Sequence, residues 1–302
     1  MILGSGMRME NEFMGGIAIS QLGDMVISSS YVAGDCCYYN NKIYKKNNIY
    51  YNGAVLYKDF QCLNIITGEW YLPTDSNLTG TLYGLENIGD KIYAITSFAS
   101  GSSMAIRVTP YTPATDSWGT TQTVYHNYNE DMRVCAYENY LYILYEYSNV
   151  SDTYTWHLIR YDTSASTLSP DLNFSVQVYQ YTTTVEIVSN IDCLICVSGS
   201  YIYKYNPATN SQETLRSCNL VNTWHRMVGL KNGFANCYKM TLNRMNFEIY
   251  NTSASMISGS IINLPYYNFA YGSKDGQENI YVFEPYIRGT NYNPSTYRIV
   301  PK

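Results

Sequence analysis

The sequence predicts an all-β fold of six repeated, four-stranded units, and three observations support this prediction. The composition favours strands, because 34 of the 302 residues are Tyr and only 14% are charged, and because Tyr and Thr suit pleated, half-buried surfaces. Two short phrases each recur along the chain at a nearly constant interval. No segment of the sequence shows the apolar periodicity of a helix.

The first recurring phrase is a hairpin: a strand, a tight turn and a second strand rich in Ile, Leu and Tyr. Its six copies are Cys37–Tyr44, Leu85–Ile95, Cys135–Leu144, Val188–Val197, Val228–Cys237 and Tyr271–Tyr281. Asn, Gly and Asp in the turns tolerate the backbone conformations that tight hairpins need. In the fifth copy the pair Asn232-Gly233 is a strong hairpin signal, so we expect the turn at these two residues.

The second phrase is a strand that ends in Tyr and runs into a turn of Thr, Asn, Asp and Ser. It is clearest in Tyr111–Trp118, Tyr161–Leu168, Tyr205–Gln212 and Tyr250–Met256, with a degenerate first copy at Leu63–Trp70 and a last one near residue 297. Successive copies lie 44 to 50 residues apart, and repeats of this length indicate solenoids, propellers or arrays. A four-stranded sheet cannot bury both faces alone, whereas a radial arrangement covers each face with a neighbouring sheet. We therefore predict a six-bladed β-propeller with antiparallel four-stranded blades.

The two ends of the chain predict how the ring closes. The sixth unit, which stops at Tyr297–Lys302, has a third strand but no fourth. Two strand-like segments, Gly16–Gln21 and Asp24–Ser28, precede the first hairpin. We expect one of them to be the outer strand of the last blade. The predicted organisation is therefore a closing segment at residues 1–30 and one propeller domain at residues 31–302.

Over about residues 31–302 the repeats resemble kelch-type propellers. Lys91–Ile95 (Lys-Ile-Tyr-Ala-Ile) and Tyr205–Asn210 (Tyr-Asn-Pro-Ala-Thr-Asn) match the kelch blade pattern, with Trp118 and Trp70 at its Trp position. The Gly-Gly pair of that pattern is absent from all six copies. The chain thus resembles a divergent kelch-like propeller. Because kelch-type propellers range from oxidases to adaptor domains, the resemblance implies the fold and says little about activity.

A shorter resemblance lies near the start of the chain. Tyr31–Tyr44 is similar to a phrase found in small chitin-binding modules and in tail proteins of phages that infect Gram-positive bacteria. The match covers 14 residues, and the same residues also begin the first predicted blade. The resemblance implies a phage-tail setting, with an independent chitin-binding-like module as the alternative.

Charge and hydropathy exclude several classes of partner. The net charge is −5 and no basic cluster occurs, so we expect no nucleic-acid partner. We predict no membrane span, because the apolar stretches are only strand length. No signal peptide is visible, so we expect synthesis in the cytoplasm, with incorporation into a virion as one destination.

The cysteines and histidines do not form a recognisable reactive site. The eight Cys residues lie mostly in alternating apolar strands, so we expect reduced, structural thiols. The three His residues fall in three different units, and no metal-binding motif occurs. No pair of acids stands out as a glycosidase pair. We therefore predict no catalytic residue, no metal and no cofactor.

We expect ligand contacts on the loops that follow the second and fourth strand of each blade, because these long loops emerge on one face, here called the loop face. The candidate residues are Tyr128, Arg133, Trp156, Trp224, Arg226, Arg288 and Tyr292. Aromatic rings stack on the apolar faces of sugars, and Arg donates hydrogen bonds to hydroxyls or carboxylates. Alternatively, Trp156 and Trp224 fill the gaps between blades.

These observations favour a non-catalytic recognition or structural propeller, set in a phage tail or virion. Its partners would be a surface glycan or another protein, contacted through the loop face, and symmetric arrays of the propeller would add avidity. One alternative is a carbohydrate-active enzyme (hydrolase, lyase or oxidase) on the same scaffold. Another is an intracellular kelch-like adaptor.

Overall fold

A computed structural model describes residues 17–24, 33–51, 54–57, 60–74, 78, 80–100, 103–126, 131–150, 153–179, 185–198, 201–217, 225–241, 244–263, 271–283 and 295–301. Within these ranges the regular structure is entirely β, with 27 strands in six antiparallel sheets. The predicted all-β, six-bladed propeller is confirmed. No helix in the described ranges is long and apolar enough to cross a membrane.

The strands are numbered in chain order, and the first belongs to the last blade. It is β1 (Ile17–Asp24). Blade 1 holds β2 (Ala33–Tyr39), β3 (Lys42–Tyr51), β4 (Ala54–Tyr57), β5 (Phe60–Asn64) and β6 (Trp70–Tyr71). Blade 2 holds β7 (Thr81–Ile88), β8 (Lys91–Ser100), β9 (Ser103–Thr112), β10 (Ser117–Trp118) and β11 (Gln122–His126). Blade 3 holds β12 (Met132–Tyr137), β13 (Tyr140–Val150), β14 (Thr153–Asp162), β15 (Thr167–Leu168) and β16 (Ser175–Tyr179).

The remaining three blades follow the same plan. Blade 4 holds β17 (Val185–Ser189), β18 (Leu194–Ser198), β19 (Tyr201–Asn206) and β20 (Ser211–Ser217). Blade 5 holds β21 (His225–Leu230), β22 (Gly233–Thr241), β23 (Arg244–Asn251) and β24 (Met256–Asn263). Blade 6 holds β25 (Tyr271–Lys274), β26 (Ile280–Phe283) and β27 (Ser295–Pro301). The first strand of each blade contacts the first strand of the next, from β2 through β7, β12, β17, β21 and β25 back to β2, so these six inner strands surround the axis.

Blade 6 is completed by the N-terminal strand, as predicted. Strand β1 pairs antiparallel with β27, from Ile17 opposite Pro301 to Asp24 opposite Ser295. The sheet order is β1-β27-β26-β25. The last blade therefore joins strands from both ends of the chain, and hydrogen bonds between β1 and β27 close the ring.

The tight turns confirm most of the predicted hairpins. Asn40 and Asn41 both have positive φ (48° and 59°), as a two-residue hairpin turn with the right twist requires. The turn in blade 5 lies one residue earlier than predicted, at Lys231-Asn232, and Gly233 opens β22 opposite Leu230. A Cβ at Gly233 would lie 1.9 Å from the carbonyl oxygen of Tyr250. This glycine therefore permits a close backbone approach instead of forming the turn.

The recurring Tyr phrase has a structural cause. Tyr111 and Tyr205 are buried at equivalent places, and each hydroxyl donates to the side chain five residues later: to Asp116 at 2.6 Å and to Asn210 at 2.8 Å. The accepting residues have φ of 47° and 50°, a conformation that Asp and Asn tolerate better than most residues. In these two copies the phrase buries a tyrosine and satisfies its hydroxyl locally.

The same acceptors also join neighbouring blades. Asp116 of blade 2 accepts hydrogen bonds from the backbone N–H of Thr74 at 2.8 Å and from its hydroxyl at 3.0 Å. At the equivalent place in blade 4, Asn210 accepts from the backbone N–H of Asn173 at 2.9 Å. In each case one turn residue bonds both to the tyrosine of its own blade and to the segment that follows the two-residue outer strand of the preceding blade.

We expect Asp116→Ala to lower the free energy of unfolding by about 1–3 kcal/mol, because it leaves the hydroxyl of Tyr111 and the N–H of Thr74 without their acceptor. Asp116→Asn is the matched control, since Asn210 fills the equivalent position, and it should lose much less. Urea denaturation curves of the two variants measure the difference. Equal losses would contradict this role.

The core consists of clusters between adjacent blades. Between blades 1 and 2, the rings of Phe60 and Tyr111 meet edge to face with centroids 4.9 Å apart, and Tyr44 and Trp118 pack beside them. Cys37 and Cys62 belong to the same cluster. Every cysteine among the described residues is a buried free thiol, and burial raises the pKa of Cys37 well above its usual value. These thiols are reduced and act as small apolar side chains.

Candidate ligand-binding site in the central channel

The six inner strands line a central cavity of about 820 Å³. Each strand ends at the tight turn that leads to the second strand of its blade. Residues at the beginning of the inner strands therefore lie towards the loop face. The cavity takes a charged or polar side chain from every blade, so the channel is polar although the blade interfaces are apolar.

An ion-pair network crosses three blades at this end of the channel. Glu186 of β17 accepts hydrogen bonds from Arg133 of β12, whose Nε lies 3.3 Å from its Oε1, and from Nη1 of Arg226 of β21. Nη1 of Arg133 also donates to Asp131 at 2.5 Å and to the carbonyl of Met132 at 2.6 Å. The Glu186 side chain is only 9% exposed, against 16% for Arg133 and 28% for Arg226. One nearly buried carboxylate therefore fixes two guanidinium groups.

Asp35 of β2 joins blade 1 to blade 2 within the same channel. Its carboxylate accepts the backbone N–H of Cys36 at 2.9 Å and that of Leu85 at 2.8 Å. The surface that Asp35 keeps exposed lines the channel, where surrounding protein replaces much of the bulk water. This desolvation raises the pKa of Asp35 to about 6, against the opposing effect of the two backbone hydrogen bonds and of Arg226.

Glu86 of β7 repeats this arrangement one blade further on. Burial raises the pKa of its carboxyl well above the usual value, and the charge of Asp35 raises it further, while a hydrogen bond with the backbone of Ala136 opposes the shift. The protonated form of Glu86 is therefore favoured in the folded protein. Asp35 and Glu86 therefore place two carboxyl groups on neighbouring inner strands of the channel.

The arrangement supplies hydrogen-bond donors and acceptors in fixed positions. Guanidinium groups donate in a planar fork, and carboxylates accept. Among the residues that the structure describes, no group of three His, Cys, Asp or Glu side chains is placed to hold a metal ion. The chemistry that the described part of the channel offers is polar recognition, together with two carboxyl groups that bind protons more tightly than usual.

The structure brings together two of the seven residues predicted to bind a ligand. Arg133 and Arg226 lie on inner strands instead of loops, and both contact Glu186. Trp156 is 4% exposed in β14 and packs between blades 3 and 4, the alternative position that the sequence allowed. The carbon Cζ of Arg133 lies 5.9 Å from the centre of the Trp156 ring. Trp156 therefore packs against the guanidinium group of Arg133. The other four, Tyr128, Trp224, Arg288 and Tyr292, lie outside the described residues.

Sequence reasoning missed the acidic members of the channel, Asp35, Glu86 and Glu186. A signal was present, because Asp35, Arg133 and Arg226 each lie five residues before the first residue of a tight turn. Aligning the hairpins on their turns would have shown a charged residue at one position of three inner strands. In a chain with few charges, that recurrence indicates a shared location.

We expect Glu86→Gln to stabilise the protein at pH 8 and to have little effect near pH 4. The pKa of Glu86 is higher in the folded than in the unfolded chain, where it is about 4.3. The cost of ionising Glu86 in the fold therefore appears as pH rises above the unfolded pKa and grows until pH passes the folded pKa. Denaturation curves from pH 4 to pH 8 measure it. Glu213→Gln, on the exposed strand β20, is the control; an equal gain there would contradict the explanation.

Comparison with known proteins supports the fold. No protein-family model and no curated protein match this sequence. Among solved structures, the fold is similar to that of "A subtype N10 neuraminidase-like protein of A/little yellow-shouldered bat/Guatemala/060/2010", with a TM-score of 0.56 and 8% identity over 92% of this chain and 98% of that chain. At this identity the likeness shows a shared propeller architecture.

Proposed function

We propose that this protein is a non-catalytic recognition module that binds a surface glycan at the loop-face end of its central channel. The observation that carries the proposal is the arrangement of Arg133, Glu186 and Arg226, in which one carboxylate holds two guanidinium groups at the wall of a cavity of about 820 Å³. A sugar hydroxyl both donates and accepts hydrogen bonds. Fixed donors beside fixed acceptors therefore suit a hydroxyl-rich ligand.

The charge of the channel supports a ligand without strong negative charge. The charged residues of the lining are Asp35, Glu86, Asp131, Glu186, Asp275 and Glu278 against Arg133, Arg226, Lys231 and Lys274. Even with Glu86 protonated, the acidic groups are more numerous than the basic ones, so the lining offers a polyanion no net attraction. The sequence places candidate stacking partners for a sugar on the predicted loops, namely Tyr128, Trp224 and Tyr292, with Arg288 as a further donor.

We further propose that the propeller is a phage tail or virion component, or a related structure, that contacts a host surface. The support comes from the sequence: the phrase Tyr31–Tyr44, the low charge and the richness in Tyr. A partner protein on the same face is the second kind of ligand that these features fit. In either case the loop face is the contacting surface.

A carbohydrate-active enzyme is a second candidate, favoured by Asp35 and Glu86. Both carboxyls line the channel, and the pKa of each is raised, as is common for general acids. However, both carboxylate oxygens of Asp35 accept backbone N–H groups, which ties this side chain to the scaffold. Turnover of cell-wall polysaccharide that is lost in Glu86→Gln would favour the enzyme over the recognition module.

The recognition function is tested by binding to a glycan array and to whole Gram-positive cells. We expect saturable binding that Trp224→Ala and Arg226→Gln each weaken at least tenfold, about 1.4 kcal/mol. The controls are Leu72→Ala, an exposed apolar residue after the outer strand β6, and Arg216→Gln, an arginine of the outer strand β20. Binding that the controls weaken equally, or no binding by a folded protein, would contradict the proposal.

A further inference from the structure

Strand β24 presents an unusual edge at the outside of blade 5. It is the outermost strand of its sheet, pairs with β23, and is eight residues long (Met-Ile-Ser-Gly-Ser-Ile-Ile-Asn). It carries no charged residue and no proline. Met256 is 56% exposed and Ile257 is 65% exposed. Natural proteins usually protect edge strands with charges, proline or short length, because an open edge can pair with another chain.

The other outer strands of the described blades are shorter or carry a charged residue. Strands β6, β10 and β15 are two residues long, and β11 and β16, which also pair with the third strands of their blades, are five residues long. Strand β20 carries Glu213 and Arg216, and β1 ends in Asp24. Strand β24 is therefore the longest outer strand of the described blades that carries neither a charged residue nor a proline.

The sequence of β24 is also symmetric. Residues 257–261 read Ile-Ser-Gly-Ser-Ile in either direction, with Gly259 at the centre, and Met256 and Ile262 flank them. In an antiparallel pair of two identical strands related by a two-fold axis at Gly259, Ser258 lies opposite Ser260 and Ile257 opposite Ile261. Hydroxyl pairs and β-branched pairs directly opposite each other stabilise antiparallel strands. The strand therefore complements itself in one register.

Two further features fit a second strand at this edge. The register between β23 and β24 shifts between Ser258 and Met256, so that Ile257 has no partner on β23. Gly259, opposite Glu248, carries no side chain to keep a second backbone away. An exposed isoleucine next to an open backbone edge gives an incoming strand both apolar area and hydrogen bonds.

We propose that two copies of this protein associate through their β24 strands, in an antiparallel pair centred on Gly259 that joins the two blades 5 into one eight-stranded sheet. Such an isologous contact uses the same patch on both copies and closes as a dimer. The dimer places two propellers side by side, with their channels unobstructed. This inference stands independently of the proposed ligand.

Cysteine cross-linking tests the register directly. In the proposed pair only residue 259 faces its own copy, with Cα atoms about 4.5–5.5 Å apart, which a disulfide spans. A Cβ added at Gly259 would meet its nearest neighbour at 3.6 Å, an ordinary contact, so Gly259→Cys should fold. We expect this variant, in a Cys218→Ser background, to form a disulfide dimer rapidly under mild oxidation. Ser258→Cys is the matched control, because residues 258 of the two copies lie too far apart to bond.

Light scattering coupled to size-exclusion chromatography tests the association itself. We expect the protein to be a dimer that becomes monomeric in Ser258→Lys/Ser260→Lys, because this variant places like charges opposite each other. Thr214→Lys/Ser217→Lys, on the outer strand β20, should remain dimeric. A protein that stays monomeric at high concentration, a dimer that the β24 lysines do not affect, or equal cross-linking of Ser258→Cys and Gly259→Cys would each overturn the proposal.

Discussion

Deletion of residues 1–29 is expected to lower the melting temperature by about 10 °C or more. The deletion removes β1, whose ladder with β27 covers seven residue pairs. Each backbone hydrogen bond contributes about 1 kcal/mol net, and 1 kcal/mol corresponds to about 2 °C in a chain of this size. The loss also uncovers one side of β27, where Ile299 is fully buried and packs with Ile280.

The closing strand has a second, cooperative consequence. In a ring each blade covers both neighbours, so an incomplete blade 6 exposes apolar faces of blades 1 and 5 once it loosens. We therefore expect the truncated protein to unfold less cooperatively, with a smaller denaturant slope. A synthetic peptide of residues 16–25, added in excess, should restore part of the lost stability. Scanning calorimetry with and without the peptide measures both effects.

Two outcomes would contradict closure by β1. A melting temperature unchanged by the deletion would mean that the pairing of β1 with β27 contributes little. A loss of stability equal to that caused by deleting only residues 1–14, which precede β1, would mean that the loss does not come from this strand.

The closing strand also illustrates what the sequence could predict. The sequence showed that the sixth blade lacks a fourth strand at the end of the chain. The segment Gly16–Gln21 near the start was apolar enough to be that strand. The repeat interval determined six blades because each blade must cover its neighbours. These predictions succeeded because they depend on burial and periodicity, which are local in the sequence.

The candidate site was harder to predict because it depends on contacts between blades. Arg133 and Glu186 are separated by 53 residues, and Glu186 and Arg226 by 40. Each looked like an isolated charge near a loop. The sequence left two interpretations of Trp156 open, a residue that stacks on a ligand or one that fills the gap between blades, and its burial in β14 agrees with the second. Closing the ring brings the first strands of all six blades together, and this proximity is a property of the fold.

Glu186→Ala is expected to lower the free energy of unfolding by about 3–5 kcal/mol, because it removes one partner from a largely buried ion-pair network. Arg133 and Arg226 both lose the carboxylate that they share, while Arg133 keeps its contact with Asp131. Glu186→Gln should cost less, since the amide oxygen still accepts a hydrogen bond.

A second substitution identifies the cause of this loss. If unpaired positive charge is responsible, Arg226→Met should recover a substantial part of the stability that Glu186→Ala removes, because replacing both partners of a buried pair is often close to neutral. The two single variants and the double variant form a cycle, measured by urea denaturation at pH 7 and in two salt concentrations. Purely additive losses would show that Glu186 stabilises the channel by packing and not by holding the two arginines. If Arg226→Met restores stability to Glu186→Ala and the control Arg216→Met does not, Glu186 is the residue that positions the arginines of the proposed binding site.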